Sequence, residues 1–176
     1  MYKNEFDNYL KQNKKFKAYM FYGQSIFLVE QYALVIAQSL GNDDEIEKLY
    51  FEEYDFKYTK DKLLQSSLFS SNNIILIKLD KKIPKKEVDS LIEACNLNPD
   101  STLIFACLGD SDFKTMEASF SLKTNSAAVR FFLPTDTEAI KFLEFEAKML
   151  NMKVESSALN HLYFMHKNDL ALCVND

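Results

Sequence analysis

The turn Tyr22-Gly23-Gln24-Ser25-Ile26 lies between an apolar run and a helical stripe, where a nucleotide-binding protein would cradle phosphates. That chemistry needs backbone amides, a lysine for the β- and γ-phosphates and a hydroxyl for magnesium. Only the opening glycine is present, so Gly23, Gln24 and Ser25 form a degenerate nucleotide loop. Asp80 closes the run Ile74–Leu79, where an acid could hold magnesium, but Lys81 follows it rather than a second acid able to orient water. Asp80 therefore reads as a solvated strand end. His161 and His166 are five apart, too far round a helix for an i,i+4 metal pair. Glu52/Glu53 and Asp110/Asp112 are local neighbours that point different ways, and no Gly-x-Ser-x-Gly elbow occurs. No catalytic residue, metal site or cofactor is expected.

A second kind of chemistry is offered by Lys62-Leu63-Leu64-Gln65-Ser66-Ser67-Leu68-Phe69-Ser70. Leu64 and Leu68 share a face by i,i+4 spacing, the pattern of a helix packed on a core. Leu63 and Phe69 point elsewhere, so the segment carries more apolar surface than one stripe requires. A wide core face is one reading, and an exposed apolar wedge that marks an interaction site is the other.

These residues are spaced along an alternation of strand-like and helical segments. Strands are expected at Lys17–Tyr22, Leu49–Phe56, Ile74–Leu79, Thr102–Leu108 and Ala127–Phe132. A helical stripe runs from Ile26 through Val29, Ala33, Ile36 and Ala37 to Leu40 and stops at Gly41. Helical spacing over Lys60–Ser70 breaks at Asn72-Asn73, and Pro84 opens a helix carrying Val88, Leu91, Ile92 and Cys95. Strands separated by helices imply right-handed crossovers and a mainly parallel five-stranded α/β sheet.

The pattern changes at Pro134. Thr135-Asp136-Thr137-Glu138 is a capping-box signature, followed by one face of Ile140, Leu143, Ala147 and Leu150. A second helix carries Leu159, Leu162 and Tyr163, and Asn168-Asp169 looks like the cap of a third. The expected organisation is an α/β domain over 1–134 and a helical domain over 135–176, cut within its third helix.

Composition narrows the function. At 47% hydrophobic residues the 176-residue chain can bury a sizeable core. A net charge of −5 argues against holding nucleic acid by bulk electrostatics, which needs a basic face to displace counterions. The local clusters Lys11/Lys14/Lys15/Lys17 and Lys81/Lys82/Lys85/Lys86 read as solvated faces. Cys95, Cys107 and Cys173 have no metal or redox spacing and fit reduced, buried thiols. No run approaches ~20 apolar residues and the N-terminus lacks a secretory pattern, so a cytoplasmic protein without a membrane partner is expected.

Four features in order resemble the delta subunits of the bacterial DNA polymerase III clamp loader. They are Ala18–Gly23 leading into Leu28-Val29-Glu30-Gln31, Ser67-Leu68-Phe69-Ser70 before an apolar strand, Ala147–Val154, and Asn168-Asp169-Leu170-Ala171-Leu172. Gln65-Ser66-Ser67-Leu68-Phe69 also resembles the general clamp-binding pentapeptide Gln-Leu-Ser/Asp-Leu-Phe, departing at Ser66. The resemblance implies an inactive AAA+ or P-loop-NTPase type module, a small helical lid and a C-terminal collar that this chain lacks. It implies the beta sliding clamp as partner, gripped through Gln65, Ser67, Leu68 and Phe69. It further implies the sibling subunits gamma/tau and delta-prime as partners of the full-length protein, and primed DNA only at the level of the complex. ATP hydrolysis would belong to the siblings. A degenerate nucleotide-binding enzyme and a DNA-binding module remain the alternatives.

Overall fold

The computed structural model describes residues 1–65, 72–109 and 111–176. The chain divides into two compact units, Met1–Phe131 and Phe132–Asp176.

In the first unit, five strands form one parallel sheet: β1 (Ala18–Gly23), β2 (Ile46–Tyr50), β3 (Asn73–Leu79), β4 (Ser101–Cys107) and β5 (Ser126–Phe131). Their order is β2-β3-β4-β1-β5, so the chain crosses over the sheet between sequential strands. Parallel strands need such crossovers, and helices α1 (Lys3–Lys11), α2 (Ile26–Leu40), α3 (Phe56–Leu64), α4 (Lys85–Leu97) and the short α5 (Lys114–Glu117) cover both faces. Every residue of β4 is buried, as expected of a strand covered on two sides.

Strand alternation sorts the core into two kinds of packing. Ala18, Met20 and Tyr22 join Ile75, Ile77, Leu103 and Phe105 in a largely aliphatic cluster with Leu63 of α3 and Val88, Leu91, Ile92 and Cys95 of α4. Tyr19 and Phe21, on the opposite face, meet Phe6 of α1 edge-to-face at 6.2 and 5.5 Å, and Phe21 also meets Tyr32 of α2 at 6.3 Å. The outer edge of β5 is engaged by the N-terminus: Met1 donates its amine to Ala128 O at 2.8 Å, and Tyr2 bridges Arg130 in parallel.

Several elements depart from the sequence reading. Helix α1 was not foreseen. Strand β2 starts and ends earlier than Leu49–Phe56, because Glu53 returns its carboxylate to the Tyr50 N–H at 2.8 Å and turns the chain out of the sheet. Helix α3 starts at Phe56 rather than Lys60, because Asp55 caps it by accepting from the Tyr58 N–H at 2.6 Å. It ends at Leu64, and the expected helical span beyond Gln65 lies outside the described residues. Gly41 does end α2, but in extended backbone (φ −168°) rather than the left-handed region.

The second unit comprises α6 (Asp136–Met149), α7 (Ser156–Met165) and α8 (Leu170–Asn175). The capping box forms as read: Glu138 accepts from the Thr135 N–H at 2.9 Å, and Thr135 Oγ1 accepts from the Glu138 N–H at 3.4 Å. Asn168 adopts φ 65° before Asp169, which caps α8 through the Ala171 and Leu172 amides. Ala139, Ile140, Leu143, Leu159, Tyr163, Leu170 and Cys173 are buried. Leu150, expected on the α6 stripe, is 66% exposed because it stands at the C-cap, where the helical face has already turned away.

Candidate functional site

At the degenerate nucleotide loop, β1 ends on Gly23 with φ +136°. A Cβ there would lie 2.0 Å from the carbonyl oxygen of Phe131, and the Gln24 N–H donates to that same oxygen at 2.8 Å. Gly23 thus answers the close approach of β5 rather than a ligand. Ser25 is buried and caps α2, its Oγ accepting from the Leu28 N–H at 3.4 Å, so its hydroxyl is committed to the helix. Lys78 of β3 is drawn to Glu30 of α2 at 2.7 Å. Tyr22, just before the turn, has its phenol pushed up by burial and by its hydrogen bond to Glu117.

The acid at the end of β3 has a structural setting too. Asp80 is exposed, and its carbonyl oxygen accepts from Ser111 Oγ at 3.2 Å. Gly109 packs so closely there that a Cβ would come within 2.0 Å of that oxygen. Leu108 N–H donates to Leu79 O at 2.7 Å, knitting the exits of β3 and β4 together. Asp112 accepts from the Lys114 N–H at 3.2 Å, while Asp110 lies outside the described residues. His166 lies 2.6 Å from Asp176, whereas His161 is exposed. Among the described residues no three His, Cys, Asp or Glu side chains are grouped to hold a metal ion, and no helix is long and apolar enough to cross a membrane.

The lysine clusters cover aromatic faces as well as facing solvent. Lys14 sits 4.5 Å above the Tyr9 ring and Lys81 5.3 Å above Phe51, while Lys85 pairs with Asp89 at 2.7 Å. Burial pushes the Cys95 thiol up to about 12 and the Cys107 thiol higher still, so both stay protonated and inert.

The apolar segment begins at the end of α3. Leu63 is fully buried and Leu64 is 41% exposed, the reverse of the expected inward stripe through Leu64. Leu63 shares the buried face of α3 with Thr59, one turn earlier, and joins the core cluster of the sheet, which leaves Leu64 on the adjoining face. Gln65 is exposed at the C-cap in extended backbone (φ −74°, ψ 120°). Ser67, Leu68 and Phe69 lie outside the described residues.

What sequence reasoning missed is the set of groups around this exit. Asn98 Nδ2 donates to the carbonyls of Leu63 and Gln65 at 2.9 and 3.1 Å. Ser101 Oγ donates to Leu63 O at 2.6 Å, and Asn73 Nδ2 to Lys62 O at 2.6 Å. The turn dipeptide Asn98-Pro99 was the available signal, but it marks a turn and not its distant partner.

Comparison with known proteins follows the same division of the chain. The family model for the DNA polymerase III delta subunit matches residues 19–132, and one described as a middle domain matches residues 135–176. Proteins from two Helicobacter pylori strains, J99 and 26695, are 29% and 27% identical over all of this chain and 57% of their own length. The chain thus spans somewhat more than half of these curated relatives. Among solved structures, a Bacillus subtilis DNA clamp loader delta protein superimposes with a TM-score of 0.66 at 16% identity, covering 98% of this chain and 55% of that one. A Thermotoga maritima RuvB variant superimposes with a TM-score of 0.59 at 13% identity, covering 98% and 58%. At such identities the likeness is one of fold.

Proposed function

The chain belongs to the DNA polymerase III delta-subunit family, and we propose that it grips the beta sliding clamp through Gln65, Ser67, Leu68 and Phe69 and favours the opened ring. The observation that carries this reading is the commitment of the nucleotide loop to structure. Gly23 is filled by Phe131, Ser25 caps its own helix, and no lysine stands in the turn. An ATPase-type fold without phosphate chemistry suits a subunit that binds while its siblings hydrolyse. In the full-length protein those siblings are gamma/tau and delta-prime, primed DNA is met only by the whole complex, and the setting is the bacterial cytoplasm.

The mechanism is differential binding. Burying two side chains of the size of Leu68 and Phe69 in a pocket of the clamp would supply roughly 3–6 kcal/mol before ordering costs. Such a binder opens a ring only by the amount that its affinity for the open form exceeds that for the closed form. A contact beyond the pocket must therefore distinguish the two.

Mixing this chain with the cognate clamp and following co-migration by size exclusion tests the proposal. A complex that forms with native protein and is lost with Phe69→Ala is the expected result. Failure of the native chain to shift the clamp at tens of micromolar would overturn it.

A further inference from the structure

The two edges of the sheet are finished differently. The outer edge of β5 is occupied: Arg130 N–H donates to Met1 O at 3.0 Å, and the Met1 amine to Ala128 O at 2.8 Å. The outer edge of β2 is open over a short window. In β3, Asn73 N–H donates to Asp100 O at 2.9 Å and Leu79 O accepts from Leu108 N–H at 2.7 Å, so its odd-numbered residues turn to β4. Ile74, Leu76 and Lys78 therefore turn to β2. With Ile46 opposite Ile74, the parallel ladder takes up the main chain of Glu47 and Leu49 and leaves that of Ile46, Lys48 and Tyr50 facing outward. Ile46 N–H is used by Asp43 O, and Tyr50 N–H by Glu53 at 2.8 Å. Among the described residues, Ile46 C=O and both main-chain groups of Lys48 have no hydrogen-bond partner, and Lys48 is exposed.

An open edge of this kind accepts an added strand, whose own N–H and C=O groups pair with those that face outward. Three groups are few, so an added strand needs a second source of affinity, and charge supplies it. Residues 42–55, which comprise β2 and the turns at both its ends, hold seven carboxylates and one lysine. Asp43 and Asp44 before the window and Glu52 after it are exposed, and among the described residues they form no ion pair. The strand between them spans roughly 17 Å, so cationic side chains at both ends of one extended segment reach both groups. A second copy of this edge is a poor occupant, because it would set carboxylates against carboxylates at the ends and Lys48 against Lys48 at the centre. We propose that the outer edge of β2 takes up an extended, lysine- or arginine-rich segment of a partner protein as an added strand. This is independent of the clamp grip and stands on Ile46–Tyr50 and the two flanking turns alone.

The probe is an end-capped heptapeptide that alternates lysine and valine. It is compared with its glutamate counterpart and with the same lysine peptide N-methylated throughout, which keeps the charge but has no backbone donors. Affinity is read from amide signals of the whole chain, and hydrogen exchange of the Lys48 N–H is measured with and without saturating peptide. The lysine peptide is expected to bind, to slow Lys48 exchange at least about tenfold while Leu49 stays unchanged, and to weaken about tenfold between roughly 50 and 500 mM salt. The glutamate and N-methylated peptides should bind at least about tenfold more weakly. Lys48→Pro removes the outward N–H without touching the ladder, and proline is tolerated on an edge strand, so binding should be lost with the fold kept. Asp43→Asn, Asp44→Asn and Glu52→Gln combined should weaken binding about tenfold and flatten its salt dependence. If Lys48→Pro does not fold, the N-methylated peptide and the Lys48 exchange decide alone. A lysine peptide that fails to bind at millimolar concentration, binds equally well when N-methylated, or leaves Lys48 exchange unchanged overturns the proposal. Self-association of the native chain that Lys48→Pro abolishes would make a second copy the occupant and overturn it as well.

Discussion

Gly23 and Phe131 meet backbone to backbone, so closely that a Cβ on Gly23 would stand 2.0 Å from the Phe131 carbonyl oxygen. The neighbour is main chain of the pairing between β1 and the edge strand β5, Gly23 with Phe131 in register, and it has no rotamer with which to withdraw. The φ of +136° adds a conformation that side chains rarely adopt. Gly23→Ala is therefore expected to destabilise the first unit by about 3 kcal/mol or more, read as a lower urea midpoint. A neutral outcome would mean that β1 and β5 separate more readily than their pairing suggests.

Nucleotide binding is expected to be absent. Ser25 spends its hydroxyl on the Leu28 N–H, and Lys78 is paired with Glu30 at 2.7 Å. Calorimetry with ATP and magnesium should give no heat beyond dilution. Magnesium-dependent turnover that is lost on changing Asp80 would sink the inactive-module reading.

The two leucines at the end of α3 should part company. Leu63 is fully buried in the aliphatic cluster, so Leu63→Ala is expected to cost ~2–5 kcal/mol of stability. Leu64 is 41% exposed, so Leu64→Ala should cost below about 1 kcal/mol. Thermal melts of the two variants side by side decide it, and equal losses would restore the inward assignment of Leu64.

That reversal shows where the sequence was legible. The Thr135–Glu138 box and the Asp169 cap are local patterns, and each forms where it was read, while the strand–helix alternation holds in order with β2 and α3 shifted in their bounds. The inward reading of Leu64 failed because its partner on the face was sought in Leu68, which lies outside the described residues, whereas the buried face of α3 carries Thr59 and Leu63. Helix α1 was missed although Phe6, Tyr9 and Leu10 share one of its faces by i, i+3, i+4 spacing, because that stripe is short and only Phe6 on it is fully buried. The hydrogen bonds of Asn98 to the Leu63 and Gln65 carbonyls join residues more than thirty positions apart, and no periodicity encodes such a pair.

Alkaline pH should unfold the first unit in a defined window. Burial raises the Cys95 thiol from its ordinary 9.0 to about 12 and the Tyr19 phenol from 10.0 to about 12. Above pH 9 the unfolded chain loses these protons first, so it binds fewer protons than the folded chain and stability falls as pH rises. The contribution is present in full below pH 9 and lost on rising through about 12. Each group should add a slope of up to about 1.4 kcal/mol per pH unit. Urea midpoints measured between pH 8 and 11 should fall, and Cys95→Ala should make the decline shallower. A flat profile would show that neither group is shielded in the folded state.

The final prediction separates grip from scaffold at Gln65 and Phe69. The Gln65 carbonyl is held by Asn98 at 3.1 Å while its side chain is exposed. Gln65→Ala leaves the carbonyl, and so its bond from Asn98, intact, and its effect on clamp binding reports the side chain alone. The segment departs from the general clamp-binding pattern at Ser66; on the proposed reading the two apolar residues carry most of the hold, and Gln65→Ala is expected to weaken binding only severalfold. Phe69→Ala removes the largest apolar side chain of the segment. If Phe69 forms the wedge, binding should disappear while the melting temperature stays within about 2 °C of native, because no core contact is lost. If Phe69 were core, its truncation would cost ~3–5 kcal/mol and the melting temperature would collapse together with binding. Clamp titration and thermal melting of the same two preparations distinguish these outcomes. A Phe69→Ala protein that melts normally and binds normally would remove this segment from consideration as the grip.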